Sequence, residues 1–248
     1  APGAAAEAAE PWRRLIDPPA ALPSTAMDDP TDHIDPLAPF RVVVRGAQPA
    51  PTDGGGGTQA YAAGTWTAIF DRFVELSEQG VAEPGLAASW EADAEAKTIT
   101  FTLRDGATFA SGNPVTAEDV IYSLGRVIKL NLTPAFILTQ LGWTPENIDA
   151  MVTGEGNTVT VAYEGDFSPA FVLNVLAARP ASIVDSALVK EHEVDGDMGN
   201  AWLNANAAGS GPFKLDRYAP AQMIRMSANE GYFNGAPDGR AHFDIPGV

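Results

Sequence analysis

Two stretches of the chain alternate apolar and polar residues with a period of two. In KTITFTLRDG (97–106), Ile99, Phe101 and Leu103 fall on one side and Thr98, Thr100 and Thr102 on the other; in GNTVTVAYEG (156–165), Val159, Val161 and Tyr163 oppose Thr158 and Thr160. That period predicts strands buried on one face, with glycines marking their ends. FRVVVRG (40–46) is a β-branched run and predicts a short buried strand. Elsewhere the spacing is helical. After the turn signal Gly112-Asn113-Pro114, Thr116 is a natural N-cap and Asp119 stands where a carboxylate reaches back to it. Glu118 and Asp119 add negative charge to the first turn, and Val120, Ile121, Leu124, Val127 and Ile128 form one apolar face, so a helix is predicted over 116–130. Further helices are predicted over 60–76, with Ile69, Phe70, Phe73 and Leu76 inward, and over 168–178 and 182–191. Residues 211–233 predict a strand, a proline-containing turn and a second strand. This mixed order predicts an α+β or mixed α/β fold rather than uniform βα alternation.

Composition adds bounds. With 248 residues, 45% of them hydrophobic, the chain can bury a sizeable core. Lys and Arg number 15 against 32 Asp and Glu, a formal charge of -17, which repels phosphate and sets nucleic acid aside as a partner. The absence of cysteine removes disulfides, thiolate metal sites and a cysteine nucleophile. No apolar run approaches the roughly 20 residues of a membrane helix. Residues 1–38 are rich in Ala, Pro and Asp, and their repeated prolines predict an extended arm preceding one unit over 39–248. The opening APGAAAEAAEP, without basic residues, fits a mature terminus left by removal of a signal peptide.

Two long blocks then combine into a pattern. In EPGLAASWEADAEAKTITFTLRDGATFASGNPVTAEDVIYSLGRV the succession is Leu86 to Trp90, the strand Ile99 to Leu103, the turn Arg104 to Gly106, Phe109, the turn Gly112 to Pro114, and Thr116 to Val120. Downstream, GSGPFKLDRYAPAQMIRMSANEGYFNGAP carries Gly209, Gly211, Pro212, Phe213, Asn229, Tyr232, Phe233, Gly235 and Pro237. In this order and at this spacing the blocks resemble the extracellular solute-binding proteins of the peptide/nickel class (family 5), the periplasmic receptors of ABC importers. The likeness spans about residues 40–237.

The resemblance implies a periplasmic-binding-protein-like fold of type II, cluster C: lobe I with an inserted subdomain over about 65–190. Family members are about twice this length, and AHFDIPGV falls where the chain would cross into a second lobe, so that lobe is expected to be missing. The implied function is that of an extracytoplasmic (periplasmic) substrate-binding component. It would capture a peptide-like or other small solute between two lobes that close by hinge motion and deliver it to the membrane permease of an ABC importer. A partner chain or the missing C-terminal half would complete the site. No enzymatic activity and no cofactor are implied. The alternative reading is a single-lobe structural or interaction subunit of a larger assembly. Solute identity is not legible.

Candidate site residues follow from the same likeness for one loop and from position in the chain for Trp202 and Asn204. The glycine run Gly54–Gly57 lacks the Lys-Ser/Thr of a P-loop and the spacing of a dinucleotide fingerprint. In the family, the loop after the first strand lines the cleft and hydrogen-bonds a peptide-like ligand through its backbone, as in strand addition. Thr52, Asp53, Gly55, Gly56 and Thr58 are therefore candidate ligand contacts. Trp202 and Asn204, just ahead of the Gly-Ser-Gly turn, are two more. The acidic run Asp28, Asp29, Asp32, His33 and Asp35 lacks EF-hand spacing and reads as a solvated arm; His33, His192 and His242 form no paired metal signature and read as surface residues. Trp90 matches a core position of the family. Ser89, Ser111 and Ser210 stand in no nucleophile elbow, and no pair of carboxylates is singled out for hydrolysis.

Overall fold

The computed structural model describes residues 40–43, 68–219, 223–235 and 241–244. Two four-stranded sheets organise them. The first contains β1 (Phe40–Val43), β8 (Phe213–Ala219), β9 (Met223–Ala228) and β10 (Ala241–Asp244), in the order β1-β10-β9-β8. β1 pairs parallel with β10, and the other pairs are antiparallel. The second contains β4 (Ala87–Asp93), β5 (Thr98–Leu103), β6 (Val152–Glu155) and β7 (Thr158–Ala162), all antiparallel in the order β4-β5-β7-β6. A small ribbon joins β2 (Val74–Leu76) to β3 (Ala82–Pro84).

The alternating stretches form β5 and β7 as predicted. Ile99, Phe101, Leu103, Val159 and Val161 are buried, and Thr100 and Thr102 face solvent. Thr100 and Thr160, directly opposite in register, share a 3.1 Å hydroxyl hydrogen bond on the outer face. The inner face is covered by α1 (Ala117–Leu130), which buries Val120, Leu124, Val127 and Ile128. Its close approach to β6 needs Gly154, where a Cβ would stand 2.8 Å from that of Ala117.

Around this core run α2 (Phe136–Thr139), α3 (Ile148–Met151) and α4 (Pro169–Leu176), with α5 (Ser186–Glu191) and α6 (Asn200–Leu203) towards the other sheet. Ser168 caps α4, accepting from the Phe171 N–H at 3.3 Å, and Pro169 occupies the first position, where no N–H is needed. The helix predicted over 182–191 starts only after Asp185. Ile183 and Val184 are extended and buried in separate apolar clusters, and Asp185 then caps α5 through the Leu188 N–H.

The helix predicted over 60–76 is a misreading in its described part. Residues 68 and 69 are helical, but the chain leaves the helix at Phe70 and Val74–Leu76 form β2. Ile69, Phe70 and Phe73 are buried as expected and Leu76 is half-buried, yet they do not share one helical face. Ile69 and Phe70 join one cluster with Val184, Val189, Leu203 and Phe213, whereas Phe73 and Val74 join the larger one under α1. The backbone between them pairs with Gly85–Ala87: Leu86 N–H donates to Arg72 O and Ala87 N–H to Phe73 O.

Candidate functional site

Where the two clusters meet, four segments are knitted by backbone and side-chain bonds. The Gly211 N–H donates to Ile69 O at 2.8 Å, and the Ala110 N–H donates to Gly209 O at 2.9 Å. An added Cβ on either glycine would collide with the Ile69 carbonyl group, so this motif is glycine because two backbones touch. Asn229, buried, gives its backbone N–H to Pro212 O and its side-chain amide to Gly211 O. Thus the glycine-rich and asparagine-aromatic parts of the second sequence block are two halves of one joint.

Asp71 lies in that joint. Its Oδ2 accepts the Ser210 hydroxyl and its Oδ1 the Tyr232 hydroxyl, each at 3.0 Å. Burial pushes its carboxyl up to about 6, against the pull of those two bonds. Burial, reinforced by the Asp71 charge, pushes the Tyr232 phenol up as well. Glu75 is also raised by burial, although the Arg72 guanidinium 3.2 Å away opposes this. Arg104 donates through Nε to Gly85 O and lies 4.9 Å from the Phe233 ring centroid.

The turn that starts the α1 block is tied in the same manner. Asn113 Nδ2 and the Ser111 hydroxyl both donate to Asp185 Oδ2, at 2.9 and 2.6 Å. Asp119 accepts the Thr116 N–H on one oxygen and the Ser186 N–H on the other, each at 2.9 Å, so one buried carboxylate caps α1 and anchors α5. Ser111 and Ser210 thus serve aspartates, and Ser89 is exposed.

Of the sequence-predicted ligand contacts, Thr52, Asp53, Gly55, Gly56 and Thr58 lie outside the described residues, as does the acidic run 28–35. Trp202 is half-buried, packs on the cluster containing Ala68–Phe70, and stacks on His192 with centroids 4.4 Å apart and planes 8° from parallel. His192 itself is exposed, as expected. Asn204 is exposed just beyond α6. Trp90 is half-buried against Phe101, and Trp143 is buried with its Nε1–H on Ala162 O, so both pack. No group of three or more His, Asp or Glu among the described residues is placed to hold a metal ion. Asp71 carries no sequence signal; Ser210 is legible only as a serine of the Gly-Ser-Gly turn outside any nucleophile elbow, and Tyr232 only as a member of the second block.

The glycine joint, the alternating sheet and the capped α1 assemble a mixed α/β fold of the type II periplasmic binding proteins. In a solved structure of Haemophilus influenzae OppA in complex with RPPGFSPFR, 42% of that chain superposes on 83% of this one, with a TM-score of 0.69 and 23% identity. The family model of bacterial extracellular solute-binding proteins, family 5 Middle, matches residues 81–244, and the chain belongs to this family. The probable D,D-dipeptide-binding periplasmic protein DdpA of Escherichia coli K12 is 37% identical over 156 residues, which are 63% of this chain and 28% of that protein. The periplasmic oligopeptide-binding protein OppA of Haemophilus influenzae is 27% identical over 172 residues, 67% of this chain and 32% of that protein. The chain therefore spans about a third of the length of these relatives. No described helix is long and apolar enough to cross a membrane.

Proposed function

We propose that the chain is part of a periplasmic solute receptor that captures a peptide-like or other small solute and passes it unaltered to the permease of an ABC importer. The observation that carries this reading is the family match over residues 81–244, whose motif glycines are explained by the joint they build. Relatives named for dipeptide and oligopeptide binding favour a peptide as the solute. Capture by closure of two lobes needs binding and no bond chemistry. In this reading residues 39–248 supply one lobe, and about 65–190 its inserted subdomain. The sheet topology supports that division: β4 to β7 lie within those bounds, and β1 with β8 to β10 outside them.

The loop residues Thr52, Asp53, Gly55, Gly56 and Thr58 are proposed to meet the ligand backbone, with Trp202 and Asn204 as side-chain contacts. Trp202 is held in a fixed plane by His192, which suits stacking on a ligand group. The test is calorimetric titration of the natural gene product containing this chain with a panel of dipeptides, D,D-dipeptides and oligopeptides. Saturable binding to at least one is expected, weakened about 10-fold or more by Trp202→Ala in a variant that still melts cooperatively. The bound peptide should be recovered with its mass unchanged. Absence of binding across the panel overturns the peptide reading, and cleavage of the ligand overturns the receptor reading.

A further inference from the structure

Three aspartates are buried among the described residues, and they are partnered differently. Asp119 accepts two backbone N–H groups and the Thr116 hydroxyl in the first turn of α1, where the helix dipole favours negative charge. Asp185 accepts the Leu188 N–H at the start of α5, the Asn113 amide and the Ser111 hydroxyl. Asp71, 7% exposed, has the hydroxyls of Ser210 and Tyr232. Among the described residues it receives no backbone N–H, stands at no helix N-terminus and forms no salt bridge, although Arg104 attracts its charge.

The charged groups around it make their direct contacts elsewhere, while Glu75 repels and Arg104 attracts its charge. Arg104 serves Gly85 O and the Phe233 ring, Arg72 is paired with Glu75, and Glu83 faces Glu75 across the β2–β3 ribbon. Ser210 and Tyr232 donate their hydroxyls to Asp71 and so favour its ionised form, but two neutral donors are weak compensation for a buried charge. Those two bonds and the attraction of Arg104 offset only part of what the ionised form loses in leaving water, so burial outweighs them.

We propose that Asp71 makes the joint between the two sheets a proton-sensitive clasp, held more tightly when its carboxyl is neutral and released more readily when it is ionised. The segments it joins are 68–72, Gly209–Pro212 and the turn 229–235, which leads towards β10. The group's ordinary value is 3.8 and its value in the closed joint about 6. A carboxyl raised in the closed state binds more protons there than in the open one. The clasp's advantage is therefore full below pH 3.8 and is lost as pH rises through about 6. Across that window, opening becomes easier by about 100-fold.

Two measurements test this. Carboxyl-carbon NMR of the chain is expected to give Asp71 a titration midpoint near 6, moved higher by Tyr232→Phe, which deletes one donor. Hydrogen exchange of the Gly211 and Tyr232 amides, corrected for the pH dependence of the exchange chemistry, is expected to show opening that grows tens-fold between pH 4.5 and 7.5. The same amides in Asp71→Asn should show a much shallower profile, with Glu75 left as the other carboxyl raised by burial. A midpoint below 4.5, or the same slope in wild type and Asp71→Asn, overturns the proposal. Should Asp71→Asn fail to fold, the wild-type midpoint and its response to Tyr232→Phe decide.

Discussion

An added Cβ on Gly209 would stand 2.1 Å from the Ile69 carbonyl oxygen and 2.8 Å from the Phe70 ring. The first obstacle is backbone, so no side-chain rotation relieves it. Gly209→Ala is expected to lower unfolding free energy by about 3 kcal/mol, the upper range of an over-packing substitution. Gly231 provides the contrast, because a Cβ there meets the Thr108 hydroxyl at 3.4 Å and the Asn229 side-chain oxygen at 3.7 Å, both ordinary contact distances. Gly231→Ala should stay within about 0.5 kcal/mol of wild type. Urea unfolding of both variants checks the pair, and equal losses would contradict the packing described at Gly209. The glycines of the motif are thus a matter of space, which one sequence cannot display. The sequence shows that residues 209 and 211 are glycine but not that Ile69, some 140 positions earlier, lies against them.

Among elements, those with a local cause were legible. The period-two stretches became β5 and β7, and the cap at Thr116 with Asp119 became the start of α1. The segment 68–76 was not. Its apolar residues fall at helical spacing because two different clusters bury them, and a one-dimensional pattern does not distinguish two clusters from one face. The same limit hid Asp71, whose partners are 139 and 161 residues away. The predicted ligand loop lies outside the described residues, so only the Trp202 and Asn204 part of the candidate site has a position in the fold. Asp119 exceeds its sequence reading, since it anchors a second helix as well as capping its own. Asp119→Ala is expected to cost about 2–4 kcal/mol, a lost cap plus an unsatisfied buried N–H at Ser186. Lys129→Ala, which breaks the exposed pair with Asp149, should cost less than about 1 kcal/mol. Thermal melts followed by far-UV dichroism would separate the two, and a smaller loss for Asp119→Ala than for Lys129→Ala would refute the double anchoring.

At the scale of the molecule, the sheet that holds β1 is assembled from distant parts of the chain. Arg41 is the cross-strand partner of His242, and Phe40 that of Ala241, running in the same direction. Everything between them is therefore a loop pinched shut at its neck by a few backbone hydrogen bonds. Because the native sequence has no cysteine, a pair introduced at Arg41 and His242 would have no competing thiol. Oxidation would turn the pinch into a covalent lasso of roughly 200 residues, a constraint worth roughly 5 kcal/mol in the chain-entropy picture. The oxidised variant should resist urea well beyond its reduced form and migrate faster on a denaturing gel. Failure of the thiols to join would mean that the neck is not closed in solution.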